Sequence, residues 1–456
     1  MLSPVTEANG VVVSWESVSD RTYFLERSTN LSAQVPFTPL STDIMGETGT
    51  TAYTDTDAIN VGPRFYRVGM NVDSRSWPGE WDRSFSPDTS LDLGPVFALQ
   101  PDGNIIVASS QRWIGSWFPG PGFPFQGIRV LRLNPDGSID KTFLAVTVND
   151  SVSEIALDQA GRVLVGGEFS MVNGQLRDGM ARLNPDGTVD TTFMPLEDIK
   201  GVAAFVVQPD GRIVIRNSAG RLLRLNTDGS LDNGFVPVIS TGSFDGPMAS
   251  AADGKVLLSS GWTTETDACL LWRLEANGQI DPTFHRPAFG ASTPGIYLTG
   301  AAVQPDGRIV VGGWFSSVDG QPRSGIVRLS ADGTVDLTFT PSAGRPYQGS
   351  ALALDASGRV LIATYGDFSL LKPNGEEDPD FYFMSRAVDP LAYGLSADWF
   401  STVIQVSRVA IQPDGGFLLG GFAEFYVCAP PLRCAIEDMT LLPFLGRLHG
   451  KSTAPR

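Results

Sequence analysis

The chain has 456 residues, 42% of them hydrophobic, which is ample for a large core. Its 33 basic and 50 acidic side chains leave a formal net charge of −17, which argues against nucleic acid or an anionic membrane as partner. No apolar run approaches the ~20 residues of a membrane span, and 50 glycines with 32 prolines point to a turn-dense, all-β protein.

The opening Met1-Leu2-Ser3-Pro4 lacks the basic and apolar segments of a signal peptide. Two readings follow: a piece of a longer secreted precursor, or a cytosolic protein. Residues 1–72 predict a small β-sandwich, with strands at 11–15, 21–28, 51–55 and 65–70. On Ser14-Trp15, Tyr23-Phe24-Leu25-Glu26-Arg27 and Phe65-Tyr66-Arg67-Val68, this stretch resembles a fibronectin type III-like module. Neither a first nor a last strand of such a module is legible, so the module reads as incomplete. Residues 73–80 are rich in Ser, Pro and Gly and read as a linker.

Beyond the linker one unit recurs. In Gly300–Phe315 an apolar run leads into Gln304-Pro305-Asp306-Gly307, and a second run ends at Gly312-Gly313. Pro presets φ, and Gly takes the left-handed position of a type I turn closed by a glycine bulge. The turn glycines are Gly103, Gly161, Gly211, Gly254, Gly307, Gly358 and Gly415, seven copies with a mean period of 52 residues. A second hairpin alternates with it: Arg132-Leu133-Asn134-Pro135-Asp136-Gly137-Ser138-Ile139-Asp140, closed by Phe143, and again around Gly187, Gly229, Gly278, Gly333 and Gly375. Two hairpins per period make four strands, the signature of a β-propeller of four-stranded blades. Residues 81–450 therefore predict a seven-bladed propeller, and residues 451–456 a tail. Trp81-Asp82-Arg83-Ser84-Phe85 carries the end of the second hairpin without its beginning, and Leu445–His449 the beginning without its end. Pairing 81–85 with 445–449 would close the ring and remove two exposed edges.

These repeats resemble the delta-60 repeat family. Gln-Pro-Asp-Gly-Arg-Ile-Val at 208–214 and 304–310, Gly166-Gly167-Glu168-Phe169, and Arg-Leu-Asn-x-Asp-Gly-Ser/Thr-x-Asp at 132–140, 182–190 and 224–232 carry the likeness. The resemblance implies a bacterial, often extracellular, propeller of unassigned function and supplies no catalytic residues.

The three-residue loop of the second hairpin sets Arg132 opposite Asp140, and likewise Arg182–Asp190, Arg224–Asp232, Arg273–Asp281 and Arg328–Asp336. By analogy Arg447 faces Asp82. Charge pairs repeated in five blades read as scaffold, each worth a few tenths to ~1 kcal/mol. Asp136 and Asp140 leave a weak surface calcium site as the sole cofactor reading, but the loop lacks the bidentate Glu of a calcium-binding hand. His285 and His449 fit no zinc or nucleophile spacing.

The irregular insertions fall on the face opposite the glycine turns. Trp113, Trp117, Phe118, Phe123 and Phe125 lie in one, Trp399 in a second, and Phe425 in a third. These aromatics read equally as a contact for glycan or protein and as a plug over the blade. Cys428 and Cys434 flank a short Pro-containing loop and should pair in an oxidising compartment; Cys269 should stay buried and reduced. The favoured reading is a monomeric, non-catalytic binding or scaffold module, extracellular or at the cell surface, whose loop face meets a protein or polysaccharide. The alternatives are a carbohydrate-active enzyme using carboxylates such as Glu168, Asp319, Asp367 and Glu424, and a structural spacer.

Overall fold

The structure, a computed structural model, describes residues 5–7, 9–17, 22–29, 38–45, 47, 49–58, 64–70, 85, 87, 93–109, 127–195, 199, 201–238, 246–260, 270–291, 295–342, 349–355, 357–364, 368–379, 381, 399–413, 415–429, 433–434 and 440–448. Residues 1–77 and 78–451 fall in two compact units. Apart from one 3-10 turn at Thr56–Ala58, every regular element among the described residues is a β-strand.

In the first unit Val5–Glu7, Gly10–Ser17 and Gly49–Asp55 form one sheet, and Thr38–Met45, Thr22–Ser28 and Phe65–Met70 a second. Alternate residues of both sheets, Val13 and Trp15 with Tyr23 and Leu25, bury one another. Arg27 of the second sheet donates to both carboxylate oxygens of Asp55 in the first, at 2.8 and 2.9 Å, and the Tyr66 hydroxyl donates to the same group at 2.9 Å. Burial, then Asp55, push the Tyr66 hydroxyl up to about 12. The sequence reading finds four of these six strands. Val5–Glu7 escapes it because it is only three residues long, and Thr38–Met45 because it contains Pro39 and too little apolar alternation; Val5 and Met45 are exposed.

The second unit repeats an antiparallel ladder of three strands. The first repeat pairs Leu93–Leu99, Ile105–Ser109 and Ile128–Leu133, and the second Val152–Leu157, Val163–Gly167 and Met180–Leu183. Val202–Val207, Ile213–Asn217 and Leu222–Leu225 form the third, and Met248–Ser250, Val256–Ser259 and Leu271–Leu274 the fourth. The fifth holds Tyr297–Val303, Ile309–Trp314 and Ile326–Leu329, and the sixth Gly349–Leu354, Val360–Thr364 and Phe368–Leu371. Trp399–Ile411, Phe417–Ala429 and Thr440–Leu448 make the last. Every residue of Val163–Gly167 and Ile213–Asn217 is buried, because each middle strand has neighbours on both faces.

The first turn of each repeat has the geometry its residues dictate. The Gly103 N–H donates to the Gln100 carbonyl at 2.9 Å, the Gln100 N–H to the Asn104 carbonyl at 2.8 Å, and Gly103 sits at φ +89°. The first strands of five repeats share a bulge, between Val152 and Glu154, Val202 and Ala204, Leu298 and Gly300, Gly349 and Ala351, and Val406 and Arg408.

The fourth strand corrects the expectation of four-stranded blades. Among the described residues it is reduced to a single bridge, such as Leu133 to Ile139 or Leu183 to Val189. The chain then turns away to satisfy a neighbour. The N–H groups of Leu144, Met194, Val236, His285 and Thr340 donate to the second-turn carbonyls of Asp186, Asp228, Asn277, Asp332 and Asn374 in the following repeat, at 2.6–2.9 Å. Only the first repeat resumes a described fourth strand, Val146–Val148 against Ile128–Leu133. Buried clusters join consecutive repeats, and one joins Phe85, Phe97 and Leu131 to Leu418 and Leu445 of the last.

This close approach separates two kinds of glycine. Gly161 at φ +74° has open space where a Cβ would stand, whereas a Cβ on Gly187 at φ +87° would meet the Leu144 carbonyl oxygen. Gly161→Ala is expected to cost only the left-handed backbone strain, ~1–2 kcal/mol. Gly187→Ala should cost at least twice that in urea unfolding, because it also breaks the contact between repeats. Equal costs would refute this account.

Candidate functional site

The second hairpins build one polar node five times. Arg132 Nε donates to Asp140 Oδ2 at 2.7 Å, and Arg182–Asp190, Arg224–Asp232, Arg273–Asp281 and Arg328–Asp336 repeat the contact at 2.7–2.8 Å. Each guanidinium lies 4.7–5.1 Å from the ring centre of the repeat's Phe: Phe143, Phe193, Phe235, Phe284 or Phe339. Its Nη1 donates onward to a turn carbonyl of the next repeat. Arg132 reaches Pro185 at 2.7 Å, and Arg182, Arg224, Arg273 and Arg328 reach Thr227, Ala276, Ala331 and Pro373. Arg447 of the last repeat donates to Pro135 of the first at 3.5 Å.

A second cation also faces most of these carboxylates. Arg162, Arg212, Lys255 and Arg308 stand 3.3, 3.6, 2.8 and 3.5 Å from Asp190, Asp232, Asp281 and Asp336. In the sixth repeat Leu370 replaces the usual Arg, and Arg359 approaches Asp378 at 3.6 Å. The basic residue directly after five of the seven turn glycines was a readable signal for this partner, and the sequence reading did not use it. The node recurs with the repeat and holds the ladder ends, so it is scaffold.

Asp136 Oδ1 accepts from the Ser138 N–H and hydroxyl, and Asp140 Oδ1 from those of Thr142. These oxygens are committed within their own turns. Among the described residues no group of three or more His, Cys, Asp or Glu side chains is placed to hold a metal. His285 Nε2 lies 2.9 Å from Asp319 Oδ2 at the surface.

The ends of the last repeat carry the remaining candidates. In backbone register Phe425 lies opposite Ser401, Trp399 opposite Val427, and Cys428 opposite Cys434. Trp113, Trp117, Phe118, Phe123, Phe125, Asp82 and Cys269 lie outside the described residues.

Sequence spacing could not reveal a cavity of ≈ 370 Å³ on which the first strands converge. Six repeats line it, through Phe97–Leu99, Ile155, Pro247, Thr299–Ala301, Ala351–Leu352 and Ser407–Ala410. Small residues dominate, and Arg408 is the one charged lining residue among those described. Arg408 occupies the bulge position that Glu154, Ala204, Gly300 and Ala351 take in other repeats. Its Nη1 donates to the Phe97 carbonyl at 3.0 Å and its Nη2 to Glu154, so it ties the last repeat to the first two.

The node sets an acid limit on stability. Burial alone would raise Asp190, but hydrogen bonds from Thr192 and Arg182 outweigh it and hold the carboxyl at about 2. A folded value below the unfolded ~3.9 means that the contribution is complete above about pH 4–5 and is lost as pH falls towards 2. Asp190→Asn should therefore lower stability by about 2 kcal/mol at pH 7, with the difference narrowing as unfolding is repeated down to pH 2.5. A deficit that does not change with pH would overturn this assignment.

Five segments, residues 100–143, 161–193, 208–235, 251–284 and 304–339, match the model of a family described as a domain of unknown function (DUF5122) beta-propeller. No curated protein matches the chain. Among solved structures, a Bacteroides caccae protein of unknown function is similar at 12% identity and TM-score 0.31, over 53% of this chain and 79% of its own. A chain of the mitotic checkpoint complex is similar at 13% identity and TM-score 0.43, over 83% and 94%. Its all-β ladders and the five matching segments make the chain a β-propeller repeat protein.

Proposed function

We propose that the larger unit is a closed seven-bladed propeller, preceded by a fibronectin type III-like module, and that it works as a non-catalytic binding module at the cell surface or outside the cell. The observation that carries the binding reading is the axial cavity. Its volume suits a small ligand or a projecting part of a larger one, and its one described charge, Arg408, is already paired with Glu154. The carboxylates held well below their usual range serve turns and the repeated node. The loop end of the ring, where the aromatic insertions branch off, meets a protein or polysaccharide.

Three contacts support closure. Arg447 to Pro135 repeats the tie of Arg132 to Pro185, one cluster buries Phe85 with Leu418 and Leu445, and Arg408 spans the seam. Removing residues 1–72 should leave the larger unit folded, while removing 1–86 takes away Phe85 and should lower its melting temperature by more than 10 °C. Equal melting of the two truncated forms would count against the closure.

The facing backbone register of Cys428 and Cys434 favours a disulfide and an oxidising compartment. Non-reducing peptide mapping of the exported protein should recover the linked pair; two free thiols would speak for the cytosol. For binding itself, the full chain should retain a defined glycan or protein from an array and pull-down. Excision of residues 111–126 should abolish that retention without shifting the melt, and retention of nothing in either assay would end the binding reading.

A further inference from the structure

We propose that Tyr297 and Trp314 form a sugar-stacking platform at the loop end of the fifth repeat, taking a neutral glycan whose pyranose rings carry equatorial hydroxyls. The inference rests on the binding reading above and assigns it a subsite. Tyr297 opens the first strand of its repeat, Trp314 closes the second, and the two are directly paired. Their rings stack at 5.8 Å with only 17° between planes. Tyr297 thus backs the indole, and Trp314 remains 36% exposed.

The scaffold has no use for this Trp. The neighbouring Phe315 does the packing, fully buried like its counterpart Phe169 in the second repeat. Next to Phe169 the position of Trp314 is held by Glu168, which accepts a hydrogen bond from Ser218, the corresponding residue of the third repeat. The sixth and seventh repeats also carry an aromatic at the position of Trp314, Tyr365 and Phe422, but Gln348 and Gln405 stand where the fifth has Tyr297. The stacked pair is thus what departs from the repeat, and it is a candidate for function because scaffold roles recur. Thr299, two residues beyond Tyr297, lines the axial cavity, so the platform stands at the loop-end rim of that cavity.

The chemistry selects the ligand. The face of an indole carries the negative part of its quadrupole, and a pyranose with equatorial hydroxyls presents a flat face of slightly positive C–H groups to it. An axial hydroxyl interrupts that face. The chain's net charge of −17 repels polyuronates and sulfated glycans, which leaves neutral polymers.

Affinity electrophoresis of the full chain in gels containing hydroxyethylcellulose or lichenan tests this, with polygalacturonate as control. The wild type should be retarded in at least one neutral gel and not in polygalacturonate. Trp314→Ala should weaken retardation at least tenfold, Trp314→Phe should restore most of it, and neither should move the melt by more than a few degrees. Equal retardation of wild type and Trp314→Ala overturns the platform and leaves the binding reading intact. Retardation of the wild type in no neutral gel also overturns the platform, and the pull-down then decides the binding reading separately.

Discussion

One contact organises the larger unit: an arginine near the end of the third strand, in five repeats, that holds its own repeat's aspartate and donates to the next repeat's turn. The same guanidinium covers a phenylalanine, so charge pairing, packing and the junction between repeats depend on one side chain. Such a group is largely desolvated, and removing one partner leaves a buried charge behind. The arrangement explains why the Asp-x-x-Phe segment leaves its own ladder after one bridge. Its backbone N–H groups are better satisfied by the neighbouring turn than by a longer fourth strand.

The aspartates also account for part of the acidity. Asp186 and Asp228 are exposed, yet hydrogen bonds from Thr188 and Ser230 hold them below the usual carboxylate range. Their charges therefore persist into mildly acid conditions, where they keep the turn surface negative. The opposite end differs, since the first strands enter there beside Tyr297 and Trp314, and the middle strands leave there. Repeated chemistry occupies one end, and exceptions to the repeat occupy the other.

How much of this could be read from the sequence depends on where each interaction is decided. Pro135-Asp136-Gly137 and its relatives settle their turns within four residues, so hairpins and the Arg132–Asp140 register were open to reading. The shortened fourth strand was not, because its competitor is a carbonyl about forty residues away in the next repeat. Arg212 was overlooked as a second partner of Asp232 because it belongs to the first hairpin of its repeat and Asp232 to the second. The cavity and the Tyr297–Trp314 stack required the ladders to be assembled first.

Leu370 stands where the other second hairpins have arginine, and its place in the order is informative. Its apolar side chain has no donor for a turn carbonyl of the following repeat, whereas Arg328, one repeat earlier, donates to Pro373. Among the described residues, the junction between the sixth and seventh repeats is held by packing, with Phe381 edge-on to Phe417. Local opening of the larger unit should start at that junction.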